Sequence, residues 1–497
     1  MARELYIFWM AAEITFKFIH QSKIMKIKII CLLLLNFPFF VFSQSEARTT
    51  RTLEECIDLA LKNNLDLKQS LLNQKTSDIN FRQNKNALLP TINGNYNLGV
   101  SNGRSIDPFT NAFVNEQLTF SNAGLGLDAT IFNGFRLINS WKQAKLNLKA
   151  AEMETEAAKQ ALILNVTLTY LQVLKAQDLV KLAKARVAST QGQLNRLRSL
   201  YEEESGNPAE YRDLQGQMAV DASNFVESEN ALEAEVINLN TLINANEEIT
   251  VAILDQKLEI KKYRYTPNDV YMQALEVFPT VKASSLNLDA ASKGVAVARA
   301  QYTPEISLFA NLNTNYSSAA RLYNEVGTST VETNDFVTIN NENFAVFTEQ
   351  SNFKNEEIPY NDQFDNNLNS AVGVAITVPI FNGFRAKNNV ALEKIKKEEA
   401  LTALEITKLN LKQSVKQSYS AMQTAFERYK LLQDQVEAYK ESFRINEIRF
   451  NNGISNSVDY VISKNNLDNA QISLANVGYE YLLRVRVLEY YRGGLQY

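Results

Sequence analysis

A six-residue sequence occurs twice in this chain and marks the same structural transition both times. Residues 131–136 read Ile-Phe-Asn-Gly-Phe-Arg, and residues 380–385 repeat them without a change. Over residues 124–130, before the first copy, every second side chain is apolar, which is the period of a strand with unlike faces. After each copy the period becomes helical, so Gly134 and Gly383 predict a strand-to-helix joint with unusual backbone angles. The chain is therefore read as two copies of one unit.

The duplication extends beyond this sequence. Residues 60–61 (Ala-Leu) and Pro90 recur 214 positions later as residues 274–275 and Pro304. Proline does not continue a helix, so Pro90 and Pro304 predict the end of the first helix in each copy. The returning strand recurs 249 positions later, so the second copy has a longer loop between its strands.

Very long helices dominate both copies. Residues 137–203 contain no proline and one glycine, which favours a single helix of about 67 residues and roughly 100 Å. A helix of this length is typical of a coiled coil. Thr52 and the carboxylates after it predict a capped helix over residues 53–87. The other predictions are turns at 205–208 and 451–453 and helices at 208–246, 386–450 and 457–492.

Four segments show the alternation of strands. In residues 92–100 apolar side chains or glycine alternate with Asn or Gly. In residues 306–315 one face, which ends at Thr314, is apolar and the other carries Ser or Asn, except at Phe309. A face of carboxamides suits water, whereas the apolar face must meet a core or lipid. The predicted strands are 90–102, 119–132, 304–316 and 369–381, with loops at 103–118 and 317–368, the second expected to be mobile.

The first and last helices of each copy together match the length of its long helix. Each copy is therefore predicted to be an antiparallel helical hairpin with a β-hairpin inserted at the opposite end. Four strands do not close a barrel, and lipid does not tolerate an open edge, because its amide groups would lack partners. If the strands span a membrane, several chains must contribute to one barrel.

The first 43 residues are typical of a targeting segment. Two lysines precede an apolar run over residues 29–42, and Val-Phe-Ser before Gln44 offers a cleavage site. Residues 1–24 then form an upstream extension or a longer n-region. Cys31 lacks the small neighbours of a lipoprotein cleavage site, so an acylated N-terminus is not predicted. The predicted organisation is 1–43 extension and signal peptide, 44–246 first repeat, 247–265 connector and 266–497 second repeat.

The composition excludes several kinds of chemistry. Without the first 43 residues the chain has 46 Lys and Arg against 53 Asp and Glu, a net charge of −7 that gives no basic surface for nucleic acid. His20 is lost with that segment, and Cys56 is then the only cysteine. This excludes intrachain disulfides, His/Cys metal sites and Ser-His-Asp or Cys-His catalysis. Cys56 is expected to be a small core residue, and neither a cofactor nor a metal is expected. No run of about 18 apolar residues follows the signal, so no transmembrane helix is predicted.

Together these features resemble the TolC-like outer-membrane efflux channel family. The resemblance covers nearly all of the sequence after the signal, through the opening at 52–61, the two prolines, the doubled joint, and the turns at Gly206 and Gly453. It implies a mainly α fold with membrane β-strands, in which helical hairpins form an α-barrel and each chain gives four strands to a twelve-stranded trimeric barrel. The implied function is a passive conduit in a tripartite efflux or type I secretion system. The implied partners are a periplasmic adaptor (membrane fusion) protein, an inner-membrane pump and outer-membrane lipid.

The resemblance also points to a gate at the periplasmic tip. The family's acidic position after the second turn matches Asp459, and a second acid of some members falls on Ile462. Asp213, seven residues after Gly206, is the internal counterpart, and Glu210 precedes it by one turn. The alternative is that these acids only interact with the dipoles of the helix N-termini.

The joint residues have two interpretations as well. The phenylalanines of the two copies either form an aromatic belt at the inner interface of the membrane that the strands would span, or pack where strand and helix meet. Arg136 and Arg385 either extend to that interface or hold the joint. The phenylalanines concerned are Phe132, Phe135, Phe381 and Phe384.

Two other classes of protein are weighed against the conduit. A structural coiled-coil protein of the cell envelope would need soluble strands, and their Asn-lined second face argues against a core packed on both sides. An enzyme is the least favoured, because paired carboxylates without a recognisable cleft are typical of solvated helix faces. Export of toxic compounds and type I secretion share one channel, so the sequence leaves both open.

Overall fold

The computed structural model describes residues 49–106, 111, 113–115, 117–203, 207–244, 249–251 and 260–493. The chain divides into two compact units, Met1–Thr49 with Asn246–Thr250, and Thr50–Ala245 with Val251–Tyr497. Apart from Thr49 of strand β1 and residues 249–250 of strand β6, the elements below belong to the second unit. None of the helices in the described ranges combines the length and apolar character needed to cross a membrane.

Nine α-helices, one short 3-10 helix (Ala300–Tyr302) and ten strands lie in the described ranges. The helices are α1 (Leu53–Asn63), α2 (Leu65–Asn86), α3 (Arg136–Glu202), α4 (Pro208–Ile243), α5 (Pro267–Val277), α6 (Pro279–Arg299), α7 (Tyr360–Asn366), α8 (Arg385–Asn451) and α9 (Ser457–Tyr491). The strands are β1 (Thr49–Arg51), β2 (Thr91–Ser101), β3 (Arg104–Ile106), β4 (Phe113–Asn115), β5 (Leu118–Phe132), β6 (Ile249–Val251), β7 (Glu305–Ser317), β8 (Arg321–Ile339), β9 (Glu342–Glu357) and β10 (Asn369–Thr377).

The two long helices agree with the sequence prediction. Both α3 and α8 contain 67 residues, which corresponds to about 100 Å. Helix α3 packs against α4 and α2, and α8 packs against α9 and α6, so two shorter helices accompany each long one. Helix α3 also packs against α6, which joins the two repeats. Of the predicted turn at 205–208, residues 205 and 206 lie outside the described residues.

The single helix predicted over residues 53–87 is wrong at Asn64. This residue is extended, with φ −64° and ψ 129°, and separates α1 from α2. Its Oδ1 accepts a hydrogen bond from the Leu67 amide at 3.0 Å, and its Nδ2 donates to the Leu242 carbonyl at 3.0 Å. One side chain therefore caps α2 and attaches it to the end of α4, which stabilises the break. The second repeat breaks at Phe278, before Pro279.

The four predicted strands form one antiparallel sheet in the order β10-β7-β5-β2. Pairing of β5 with β7 joins the hairpins of the two repeats, for example with Leu125 opposite Leu312. Strands β2 and β10 lie at the two edges. The prediction placed the end of the last strand at residue 381, but β10 ends at Thr377, before Pro379, which lacks the amide needed for pairing.

The two segments predicted as loops contain regular structure. Strands β3 and β4 form a small hairpin within residues 103–118. Within residues 317–368, β8 and β9 pair along their length and α7 follows, so the prediction of a long loop is wrong. Alternating Thr, Val and Phe side chains favour strands here, but abundant Asn and Glu concealed that preference.

The strand-to-helix joint has the same backbone in both copies. Gly134 and Phe135 have φ of 65° and 63°, and Gly383 and Phe384 have φ of 62° and 61°. Two successive left-handed residues turn the chain from the strand into the helix, and glycine takes the first position without steric cost. Pro90 lies directly before β2, and Pro304 lies directly before β7.

The surroundings of the two joints differ. A Cβ at Gly134 would collide with the side chain of Thr303, whereas nothing lies within 4 Å of a Cβ at Gly383. Arg136 lies 3.7 Å from Glu305 at the start of β7, and Arg385 donates from Nε to the Asn382 carbonyl at 3.3 Å. The first joint is thus packed against the other repeat, while the second is open in the single chain.

This difference gives a matched pair of variants. Gly134→Ala and Gly383→Ala should both carry the strain of a left-handed alanine, about 1 kcal/mol. Only Gly134→Ala adds the overlap with Thr303, about 1–3 kcal/mol more. Thermal unfolding of the single chain, kept monomeric in detergent so that no neighbouring copy lies against Gly383, measures both, and equal midpoints for the two variants would contradict this account.

Candidate functional site

The apolar face of the four-stranded sheet is uncovered in the single chain. Ile92, Leu127, Ala310 and Val372 stand in one row across the four strands. Ile92 is 63% exposed and Val372 is 76% exposed. Apolar surface exposed to water costs about 25 cal/mol per Å² in free energy. An exposed apolar face that extends across four strands is therefore expected to contact lipid or protein.

Aromatic side chains close one end of this face. Tyr360 and Phe364 of α7 stack at 4.5 Å between ring centroids, and Tyr360 contacts Tyr316 at 4.9 Å. The Tyr360 hydroxyl lies 3.2 Å from that of Tyr96 and 3.3 Å from that of Ser121. Helix α7 therefore covers the sheet where the apolar rows give way to hydroxyl groups. Sequence reasoning missed this group because α7 lies in the segment predicted as a loop.

The phenylalanines of the two joints lie at the other end. Phe132 and Phe135 meet edge to face at 5.5 Å, and Phe381 and Phe384 do so at 5.6 Å. From Phe132 to the row of Tyr96, β5 spans about 30 Å, or roughly 23 Å along the normal of a membrane crossed at about 40°. This height matches the apolar band of membrane-spanning barrels, which aromatic residues border on both sides.

The opposite face of the sheet is lined by carboxamides. Asn95 of β2 and Asn313 of β7 flank Gly124 of β5 in register. A Cβ at Gly124 would lie 2.6 Å from Oδ1 of Asn95 and 2.8 Å from Oδ1 of Asn313, so glycine leaves room for both side chains across the strand. Phe309, the exception in the sequence pattern, covers its register partner Gly373.

The gate candidates lie at the starts of α4 and α9. Oδ2 of Asp213 accepts a hydrogen bond from the buried Ser457 hydroxyl at 2.9 Å, so this acid attaches α4 to the first residue of α9. Asp459 is exposed, its amide donates to the N-cap Asn456 at 2.9 Å, and its carboxylate accepts from a neighbouring serine hydroxyl. Glu210 is half-buried in the first turn of α4. The structure thus brings Asp213, but not Asp459, into the contact between the two helices.

An apolar cluster next to these acids joins all four helices of the tip. Leu197 of α3, Leu214 of α4, Phe450 of α8 and Tyr460 of α9 are buried together. Phe450 stacks on Tyr460 at 4.9 Å between centroids. Burial raises the pKa of Tyr460 to about 12, so its hydroxyl stays neutral at physiological pH. Ile462, where the resemblance would place a second acid, is exposed on α9.

About one helical turn beyond this cluster lies a charge cluster that sequence reasoning missed. Lys464 of α9 lies 3.0 Å from Asp221 of α4 and 2.8 Å from Asp468 of α9. Arg186 of α3 lies 2.9 Å from Asp221 and 3.0 Å from Asp468, although its Nε–H points at neither oxygen well enough for a hydrogen bond. Asp221 is fully buried and Lys464 is 2% exposed. The only sequence signal is the spacing of Lys464 and Asp468 by four residues.

Neutral donors complete the shell around Asp221. Thr190 donates to its Oδ2 at 2.6 Å, and Gln217 donates to its Oδ1 at 2.8 Å. Burial alone raises the pKa of Asp221, but the hydrogen bonds from Thr190 and Lys464 outweigh it, and the pKa lies below its ordinary value. The carboxylate is therefore ionised throughout the physiological range.

Groups suited to covalent or metal chemistry are scarce. Cys56 is fully buried in α1, and burial raises the pKa of its thiol to about 12, which keeps it unreactive. Its predicted place in the core is confirmed. In the part of the chain that the structure describes, no group of three His, Cys, Asp or Glu side chains is arranged to hold a metal ion.

The charge cluster predicts a large effect of one substitution. Lys464→Met should lower the free energy of unfolding by about 3–5 kcal/mol, because Asp221 would remain buried without its cation. Denaturant unfolding in detergent, followed by helical circular dichroism, measures this change. Arg444→Met is the matched control, since Arg444 pairs with Glu441 on the exposed surface of α8, and it should change nothing measurable. Equal losses in both variants would contradict the prediction.

The pKa of Asp221 predicts a pH dependence. Because the folded pKa is below the unfolded value of about 3.9, the stability from ionised Asp221 is complete above that value and is lost as pH falls through the folded pKa. The difference in unfolding free energy between wild type and Asp221→Asn should therefore stay constant from about pH 8 to about pH 5. A difference that already shrinks in this range would show that the pKa is raised instead.

Comparisons with known proteins agree with this architecture. The sequence model of the family described as outer membrane efflux protein matches residues 56–245 and 270–494. The chain is 21% identical to the outer membrane protein TolC of Vibrio cholerae over 402 residues, which cover 81% of each chain. It is also 21% identical to the outer membrane efflux protein BepC of Brucella suis over 383 residues, which cover 76% of this chain and 72% of that one. The crystal structure of the CmeC outer membrane channel of Campylobacter jejuni is similar in fold, with a TM-score of 0.70, 20% identity, and coverage of 89% of this chain and 85% of that chain. With its two repeats matched over most of their length, the chain belongs to the outer membrane efflux protein family.

Proposed function

We propose that three copies of this chain form one conduit through the outer membrane and the periplasm. The observation that carries the proposal is the four-stranded sheet with β2 and β10 at its edges and an uncovered apolar face. Lipid does not tolerate unpaired strand edges. If β10 of each copy pairs with β2 of the next, three copies close a barrel of twelve strands. The apolar face then meets lipid, and the carboxamide face lines the aqueous lumen.

The helices supply the periplasmic part of the conduit. Helices α3 and α8 are each about 100 Å long, and each is accompanied by shorter helices along its length. In three copies these columns enclose a tunnel that continues the barrel and reaches the tip. We propose that the conduit is passive, which family membership supports.

A passive conduit depends on partners for energy and cargo. We propose that a periplasmic adaptor protein and an inner-membrane pump deliver cargo at the tip, as in tripartite efflux or type I secretion. Family membership supports this assignment. Residues 1–43 are proposed to be removed on export, which leaves the repeats 44–246 and 266–497 joined by the connector 247–265.

The acids at the tip are proposed to control ion passage. Asp459 is exposed beside the second turn, and Asp213 and Glu210 occupy the first turns of α4. Three copies of each acid around one axis attract cations and repel one another, with partial screening by salt. Asp459 makes the larger contribution, because Asp213 is already engaged by Ser457.

Single-channel recording in a planar bilayer tests both the conduit and the gate. The purified protein should give discrete openings that favour cations, and Asp459→Asn should reduce this preference, measured as the reversal potential in a salt gradient. Asp434→Asn is the control for net charge, since Asp434 is exposed on α8 about 25 Å before the turn. Asp434→Asn should shift the reversal potential less than Asp459→Asn does.

The outcomes separate the two parts of the proposal. If Asp459→Asn and Asp434→Asn change the reversal potential equally, the channel part of the proposal stands, but Asp459 is then only a charge at a helix end. Folded protein that does not insert would overturn the conduit and favour a structural coiled-coil protein of the cell envelope.

A further inference from the structure

One charge on the carboxamide face of the sheet has no partner. Asp128 of β5 follows Gly126 by two residues and therefore shares its face, on which the side chain of Asn311 lies against Gly126. Asp128 and Glu305 are the only charged residues in β2, β5, β7 and β10. Glu305 lies 3.7 Å from Arg136, whereas Asp128 is exposed, and its carboxylate has no ion pair or hydrogen bond among the described residues.

The aromatic exception in the sequence pattern is the register partner of this acid. Phe309 of β7 lies opposite Asp128 on one side and opposite Gly373 of β10 on the other. A Cβ at Gly373 would lie 2.5 Å from Cζ of Phe309, so the ring lies over the glycine, on the side away from Asp128. Aromatic rings often cover strand glycines in this way. Phe309 is half-buried, so part of the ring remains open to the space beside the sheet.

The carboxylate and the ring lie side by side across the face. Strands β5 and β10 flank β7, and neighbouring strands are about 4.8 Å apart, so the two groups are separated by about 5–10 Å. On its other side Asp128 is paired with Thr91 of β2, which is exposed. The row presents a hydroxyl group, a carboxylate, a ring and an open position, from Thr91, Asp128, Phe309 and Gly373 in turn.

This pair of groups fits an organic cation that carries an apolar body. A carboxylate without a cation attracts an ammonium group, and a phenylalanine ring attracts both cations and apolar groups. An anion would be repelled by the carboxylate, and a neutral aromatic compound would use the ring alone. An exposed ion pair and one exposed ring are each weak, so the affinity is low, as transport requires, because cargo must also leave.

We propose that Asp128 and Phe309 form a weak binding site for amphipathic organic cations in the lumen of the barrel. The site rests on the proposed function, since the carboxamide face lines a lumen only in the closed assembly. Asp128 precedes Phe132 of the joint by four residues, which places the three sites of a trimer at one level, about 10 Å along the barrel axis from the joint. The acids of the tip lie the length of α8 away, about 100 Å.

The first test measures binding without relying on conduction. Thr91, which is exposed beside Asp128, is replaced by cysteine in the full chain, and its reaction with N-ethylmaleimide is followed by mass spectrometry of the peptides. Cys56 is fully buried, so its labelling in the same sample reports unfolding. The probe, 4-phenylbutylammonium at about 10 mM, should slow labelling of position 91 by about threefold or more. Tetramethylammonium, which lacks the ring, and 4-phenylbutanol, which lacks the charge, should protect less.

Two substitutions and a matched control identify the groups that bind. Asp128→Asn removes the charge and Phe309→Leu removes the ring, and each should abolish most of the protection. Phe120→Leu is the control, because Phe120 also lies over a glycine of the neighbouring strand, Gly99, but has Ser317 as its other register partner in place of an acid. Phe120→Leu should retain the wild-type protection.

Several outcomes of the labelling experiment would overturn the site. Wild-type protection in Asp128→Asn or in Phe309→Leu would show that the missing group does not bind the probe. Equal protection by 4-phenylbutanol would show that charge does not matter. Loss of protection in Phe120→Leu would place the probe elsewhere on the face. If labelling of Cys56 shows that Phe309→Leu does not fold, Phe309→Met replaces it.

The second test connects the site to conduction. In a planar bilayer, the probe added on the side of the barrel should reduce the wild-type current more than the currents of Asp128→Asn and Phe309→Leu. Asp459→Asn, which is changed only at the tip, should be blocked like the wild type. Protection of position 91 without any block of the current would overturn the placement of the site in the lumen.

Failure of the site and failure of the proposed function give different results. If the wild-type protein forms no channel, the proposed function fails, while the labelling experiment still reports whether Asp128 and Phe309 bind the probe. If the protein conducts but the probe neither protects position 91 nor blocks the current, the proposed function stands and the site is overturned.

Discussion

Backbone amide and carbonyl groups at the outer edges of β2 and β10 have no partner within the four-stranded sheet, and one face of that sheet is apolar and uncovered. Both features are costly in water, and an open edge is not tolerated in lipid. Closure by further copies satisfies the edges and the face together, and aromatic groups at both ends match the borders of a membrane. An incomplete sheet of this kind fits the outer-membrane location of the family.

The helical region depends on how the chain leaves this sheet. Two successive left-handed residues at each joint, such as Gly134 and Phe135, start a helix of 67 residues from the end of a strand. The first joint is fixed by Thr303, whereas nothing in the chain lies against Gly383. The joint that remains open therefore leaves room for a neighbouring copy in the proposed assembly, where closure of the barrel and packing of the helical columns would meet at this level.

Most of the architecture could be predicted from the sequence, because long periodic segments and a duplicated joint report strongly on local structure. The four strands and the long helices are confirmed, although the last strand ends at Thr377. The break at Asn64 was not predictable, because it depends on a tertiary hydrogen bond to Leu242. The charge cluster was missed for the same reason, since Arg186 and Lys464 are 278 positions apart and only packing brings them to the same carboxylates. Which side chains face the pore depends on the assembly, so Asp459 remains a prediction.

The composition of the core changes along the helices. Near the middle, Val270, Val415 and Tyr481 belong to a large apolar cluster, whereas the tip has a small apolar cluster bordered by a buried salt-bridge network. Replacing such a network by apolar residues is often neutral or stabilising, so stability alone does not account for it. Removing one partner of such a network is costly all the same, because the other charge then stays buried and unpaired. Asp221 and Lys464 therefore fix how the first repeat and α9 meet, since neither tolerates a neighbour without the opposite charge.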